Sequence, residues 1–151
     1  MMSSQIALTG PEFETICERF GLSLHRASAL SGGVSTNYLF DTEEGRFVVS
    51  VLDRALGLEA DTVARLLDHL NENGLQVAAP WRSTRGKTEE LVGAHVVSVK
   101  QFVPGTVHDV LPMGLLADAG EALALVHAIP APEWLPKRTK RLANLEGEVA
   151  T

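Results

Sequence analysis

Six consecutive short residues, Ser31-Gly32-Gly33-Val34-Ser35-Thr36, are the first part of this sequence equipped for chemistry. A loop that brings backbone amides onto an anion must lack bulky side chains, and glycine lets the backbone come close. A plain hairpin turn has the same composition, so the stretch does not decide between the two. A second set lies in Arg46 to Leu52, where the two-residue period of a strand puts Val48, Ser50 and Leu52 on one face. Other chemistries find less support. Cys17 is the one cysteine, which excludes an intrachain disulfide and a thiolate zinc cluster. It falls on the apolar side of a helix with Phe13, Ile16 and Phe20, where it packs. His25, His69, His95 and His108 show no metal-ligand spacing. His127 closes an apolar helix face and reads as a core residue. No Ser-His-Asp arrangement can be defended.

The elements that must position these residues follow from periodicity and breakers. Thr9-Gly10-Pro11-Glu12 has capping-box spacing with proline in the first turn, and Gly21 stops the helix. Leu22 to Leu30, Tyr38 to Phe40 and Arg46 to Leu52 read as strands separated by turns, which predicts an antiparallel meander. Leu56 to Asn73 is helical, with Leu58, Val63, Leu66, Leu67 and Leu70 at helical spacing and Asn73-Gly74 as the stop. Two or three strands follow: Val77 to Arg82, Glu89 to Val92, and His95 to Val103, ended by Pro104-Gly105. Pro112 to Ala128 is a further helix, broken by Pro130, Pro132 and Pro136. A short helix near Leu142 to Val149 is the last pattern. The expected fold is α+β, a five-stranded antiparallel sheet with a helix inserted after its third strand and helices at both ends.

The chain has 151 residues, enough for one domain with a real core. Nineteen acidic against thirteen basic residues give a net charge of −6 and no broad basic surface for nucleic acid. The one basic run, Lys137, Arg138, Lys140 and Arg141, reads as a solvated tail. No apolar run reaches the ~20 residues of a membrane span, and Met1 to Leu8 lacks the parts of a signal peptide. A cytoplasmic protein without membrane partners is expected.

That order of elements resembles the N-terminal lobe of the protein-kinase-like fold. Within it the sequence resembles the aminoglycoside phosphotransferase superfamily, homoserine kinases of the second type most of all. The resemblance runs from about Leu24 to His127. It is carried by Ser31 to Tyr38, Gly45 to Val51, Leu67-Asp68-His69-Leu70 with Gly74 to Pro80, Phe102-Val103-Pro104-Gly105, and Gly120 to His127.

The resemblance implies ATP and Mg2+ as cofactors, and it implies roles for single residues. Ser31, Gly32, Gly33, Val34, Ser35 and Thr36 would form the loop over the phosphates. Val48 would cover the adenine ring. Ser50 stands where most kinases of the fold have a phosphate-gripping lysine, and homoserine kinases of the second type have a small hydroxyl residue there too. Arg54, or a basic residue outside the chain, would compensate. Glu59 would lose the lysine partner it has in relatives and only complement its helix N-terminus. The Gln101 carbonyl and Val103 amide would pair with adenine at the hinge.

The superfamily's second lobe carries His-x-Asp, an asparagine five residues after that aspartate, and a metal-binding aspartate. No His-x-Asp follows residue 105, and neither histidine nor aspartate follows Pro136. Residues 1–105 are therefore expected to form the nucleotide-binding lobe. Residues 106–151 would form the hinge and the first helix leading to a second lobe. No catalytic residue and no metal ligand are expected in this chain, which by itself would be inactive. Three accounts fit: a fragment of a complete kinase, a half that assembles with a second polypeptide, or a non-catalytic, pseudokinase-like binding module. All three leave an apolar seam near Phe102 to Val107 and Leu111 to Leu116, through which the chain would meet a second polypeptide or itself. The acceptor, homoserine or an aminoglycoside-like or amino-alcohol-like small molecule, would bind the second lobe.

Overall fold

The computed structural model describes residues 7–31, 35–52 and 59–136. The predicted order of elements is present. Helix α1 (Gly10–Phe20) starts at Thr9, whose backbone N–H and hydroxyl both donate to the Glu12 carboxylate. It ends at Gly21, whose φ of 63° is the left-handed conformation that glycine adopts without a Cβ penalty. Strands β1 (Leu24–Leu30), β2 (Thr36–Thr42) and β3 (Gly45–Leu52) form the antiparallel meander. Helix α2 (Glu59–Glu72) follows. After it come β4 (Pro80–Trp81), β5 (Glu89–Val92), β6 (His95–Gln101) and helix α3 (Met113–Ala128).

The sheet order is β1-β2-β3-β6-β4, with β5 also paired to β6. Six strands stand where five were expected, because the three segments after the inserted helix all pair. The weak Val77 to Arg82 strand contracts to two residues, opposite Val99 and Lys100. Strand β6 is the hub, since β3 takes one of its edges while β4 and β5 share the other.

Alternation sorts the side chains cleanly. Phe47, Val49 and Val51 of β3 are buried with Tyr38 and Phe40 of β2 and Val97 and Val99 of β6. Ile16, Cys17 and Phe20 of α1 cover this face, and Phe13 meets Tyr38 and Phe40 edge-on at 5.2 and 5.6 Å. Burial pushes the Cys17 thiol pKa up, as suits a packing residue. Trp81 closes the end of the core. Its indole N–H donates to the Phe20 carbonyl at 2.9 Å, and its ring lies 4.8 Å from Phe47.

A polar clasp holds α1 to the far side of the sheet. The Glu90 side chain is 2% exposed and accepts from Arg19 at 3.3 Å and from both Nε and Nη2 of Arg85. The Arg85 hydrogen bonds first, then one from Ser83 and the charges of Arg85 and Arg19, hold the Glu90 carboxyl below the usual carboxylate range although burial opposes them. A charge this buried is tolerated only when paired and hydrogen-bonded.

Two expectations shift on the helices. Val63 is exposed, and Ala64 takes its place as the buried residue of α2, with Leu66, Leu67 and Leu70 half-buried. His127 is not a core residue, because every residue of α3 is exposed. An apolar helix stays uncovered when no other element packs on it, and here Met113, Leu116 and Leu123 are 84, 50 and 56% exposed. Val103, Val107 and Leu111 before α3, within the expected seam, are exposed as well. Leu56 to Leu58 and the segment Leu142 to Val149 lie outside the described residues.

Past α3 the chain returns to α2. The His69 ring lies 2.9 Å from the Pro130 carbonyl, and Arg65 sits 4.2 Å above the Trp134 ring. Among the described residues no helix is long and apolar enough to cross a membrane.

Candidate functional site

The sheet face opposite the core carries the residues singled out on β3. Residues paired across antiparallel strands share a face. The register sets Asn37 and Ser98 beside Ser50, and Leu39 and Lys100 beside Val48. Val48 and Leu39 are half-buried and Lys100 is exposed, so this part of the face is open. Leu52 extends the same row, half-buried, opposite Val96.

Ser50 is 6% exposed, and its hydroxyl donates to the Asn37 side-chain oxygen at 2.7 Å. The Asn37 amide in turn donates to the Ser35 carbonyl at 3.2 Å. Asn37 thereby links Ser35 to the middle of β3. Ser31 is exposed and Ser35 half-buried. Thr36 pairs with Val51, which puts it on the core face rather than beside Ser50. Gly32, Gly33, Val34 and Arg54 lie outside the described residues, as does the side chain of Glu59, the first residue of α2.

At the end of β6 the chain presents backbone rather than side chains. The Phe102 amide donates to the Arg46 carbonyl, and the Gln101 amide to the Ala79 carbonyl, both at 2.9 Å. Successive residues of a strand turn their amides and carbonyls to opposite edges. The Gln101 carbonyl therefore faces the β4 edge with its own amide. A groove of about 480 Å3 lies against that edge, between Gln101, Val103 and Pro104 on one side and Asp68, Glu72 and Val77 on the other. The expected residues thus divide between two adjoining surfaces. Val48 and Ser50 are on the open face, and Gln101 and Val103 are on the edge beside it.

Charge on this face is mostly committed. Arg46 pairs with Asp41 at 3.3 Å and stacks 4.6 Å from the Phe102 ring. Asp68 at the groove is neutralised by Arg82 at 2.6 Å. The Lys100 side chain makes neither an ion pair nor a hydrogen bond among the described residues. No group of three or more His, Cys, Asp or Glu residues able to hold a metal ion occurs among the described residues.

Leu39 and Val48 offer an apolar platform for a flat ring. The strand end offers backbone groups to the ring's edge, and Ser35 lies at the other end of the row. The described residues therefore suit a flat ring with polar atoms at its edge. Three residues of the site escaped the sequence reading: Asn37, Leu39 and Lys100. The period of two alone would have put Asn37 and Leu39 on one face of β2. Lys100 needed the β3–β6 register.

The phosphotransferase enzyme family matches the chain over residues 26–150. The homoserine kinase of Caulobacter vibrioides strain NA1000 is 28% identical over 146 residues, which cover 95% of this chain and 44% of that protein. The homoserine kinase of Paramagnetospirillum magneticum is 25% identical over 97 residues, covering 64% of this chain and 30% of that protein. The chain spans less than half the length of these curated relatives. Among solved structures, a spectinomycin phosphotransferase in complex with ADP and spectinomycin superposes with a TM-score of 0.65 at 16% identity. That match covers 85% of this chain and 40% of the other. An amicoumacin kinase in complex with AMP-PNP and Ca2+ gives 0.59 at 17% identity, over 86% and 43%. At such identities the likeness is one of fold.

Proposed function

This chain belongs to the phosphotransferase enzyme family, and from that premise we propose that it forms the nucleotide-binding part of an ATP-dependent kinase acting on a hydroxyl of a small molecule. The observation that carries the proposal is the row Leu39, Val48, Asn37 and the buried Ser50 on the sheet face opposite the core, open at Val48 and Leu39. The row lies between the backbone edge at Gln101 and Ser35, which is bonded to Asn37. The adenine ring would lie against Val48 and Leu39, with its edge at the Gln101 carbonyl and Val103 amide. The phosphates would run towards Ser31, Gly32, Gly33, Val34, Ser35 and Thr36. Binding and positioning are the greater part of what a phosphoryl-transfer enzyme needs from its protein groups.

Residues 1–105 would be this lobe, and 106–151 would lead to a second lobe holding the acceptor and Mg2+. Homoserine is the leading acceptor, supported by the two homoserine kinases matched at 28% and 25% identity. Aminoglycoside-like or amino-alcohol-like molecules come second. The apolar α3 and the segment before it would be the surface that meets the second lobe.

The test is calorimetric titration of the chain with AMP-PNP. Weak binding is expected, because one lobe supplies only part of a cleft. Val48→Trp, which fills the platform, should abolish it. Absence of binding at millimolar nucleotide, or a Val48→Trp variant that binds as well as the parent, would overturn the reading. A longer polypeptide containing this chain should release ADP in the presence of homoserine, and failure across a panel of hydroxylated amines would remove the acceptor assignment.

A further inference from the structure

A polyphosphate on this face needs a cation, and Ser50 has none to give. Its hydroxyl is also already spent on Asn37. Three basic residues lie on the same face of β1, β2, β3 and β6. Arg46 is bound to Asp41 and stacked on Phe102. Arg26 sits on the outer strand β1, opposite the same Asp41. Lys100 stands in the middle of the sheet, directly across from Val48, exposed and with a side chain that makes neither an ion pair nor a hydrogen bond among the described residues. Ser98 is the cross-strand neighbour of Ser50, so Lys100 is its diagonal neighbour, a separation of roughly 7–8 Å. A lysine's flexible four-carbon stem can carry the ammonium across that distance.

We infer that Lys100 supplies, from the neighbouring strand, the cation for the nucleotide's phosphates that position 50 does not provide. The inference rests on the nucleotide reading above and adds a binding residue to it. Lys100 joins the apolar platform to the phosphate end of the row, its stem lying along Val48 and its ammonium reaching past Ser50.

The experiment compares adenosine, AMP and ADP binding to the chain and to its Lys100→Met variant, which keeps the stem and removes the charge. Adenosine affinity should stay the same and ADP affinity should fall about tenfold, the scale of one charge-assisted hydrogen bond. The salt dependence of ADP binding should flatten with it. The double variant Ser50→Lys/Lys100→Met should regain the ADP affinity, because both positions would then serve one point in space. Equal losses for adenosine and ADP would mean that Lys100 only packs, and unchanged ADP affinity would mean that it does not reach. Either result overturns the inference and leaves the nucleotide reading standing. If the parent chain bound none of the three ligands, that reading would fall and the inference with it.

Discussion

Removing the Glu90 carboxylate should destabilise the fold less than removing its partners. The Glu90 side chain is 2% exposed, whereas those of Arg19 and Arg85 are 40% and 62% exposed. In Glu90→Gln the two guanidiniums lose an anion, but water still reaches them. The cost should be that of weakened hydrogen bonds to a charged group, about 2 kcal/mol. In Arg19→Ala/Arg85→Ala the carboxylate loses both of its cations while remaining anchored at the sheet, and that loss should exceed the loss in Glu90→Gln. Acid adds a second readout. Arg85's hydrogen bonds lower the folded pKa of Glu90 below its unfolded value, so the ionised carboxylate contributes its full stability at pH above the unfolded value. That contribution disappears as pH falls through the lower folded pKa, and it is absent from Glu90→Gln. Urea unfolding followed by Trp81 fluorescence at several pH values measures both. A double arginine variant more stable than Glu90→Gln would refute the reasoning, as would identical acid limbs for Glu90→Gln and the parent.

Three further outcomes are expected. Ser50→Ala leaves the Asn37 oxygen without its 2.7 Å donor and should cost about 1 kcal/mol in thermal unfolding, as should Asn37→Ala, with the two effects not additive. Cys17 is buried and its thiol pKa is raised, so a thiol-specific reagent should label it in the native chain only at the rate of structural opening, and at once in denaturant. Leu116→Lys/Leu123→Lys places charge on the exposed apolar side of α3 and should abolish any concentration-dependent rise in mass seen by light scattering, without lowering the melting temperature of the sheet domain.

The sheet, its meander and its two long helices were legible because period and breakers act locally. The capping pair Thr9 and Glu12, the stop at Gly21 and the buried alternation Phe47-Val49-Val51 each state their role within a few residues. What could not be read depends on partners far away in sequence. Lys100 looks like any lysine near a strand end until the β3–β6 register puts it across from Val48. Leu39 fell inside the expected strand Tyr38 to Phe40 and Asn37 just before it, and their place beside Val48 and Ser50 is a property of two strands together. Val63 and His127 failed for a related reason. Helical spacing marks an apolar face and cannot say what covers it, and on α3 none of the described residues is buried. The backbone groups of Gln101 and Val103 carry no side-chain signature at all.

Strand β6 also sets the order in which such a chain can fold. The meander β1-β2-β3 needs only short turns, so it can form early and locally. The β3–β6 ladder must join Phe47 to Gln101 and Leu52 to Val96, with α2, β4 and β5 lying in the intervening loop. Closing a loop of that length is entropically slow, and the reward comes only when Val97 and Val99 enter the core. Until then β3 presents an unpaired edge rich in valine, the kind of edge that recruits strands from other chains. Refolding yield should therefore fall as protein concentration rises, and a synthetic β5–β6 peptide, Glu89 to Phe102, should compete for that edge during refolding while leaving the native protein untouched.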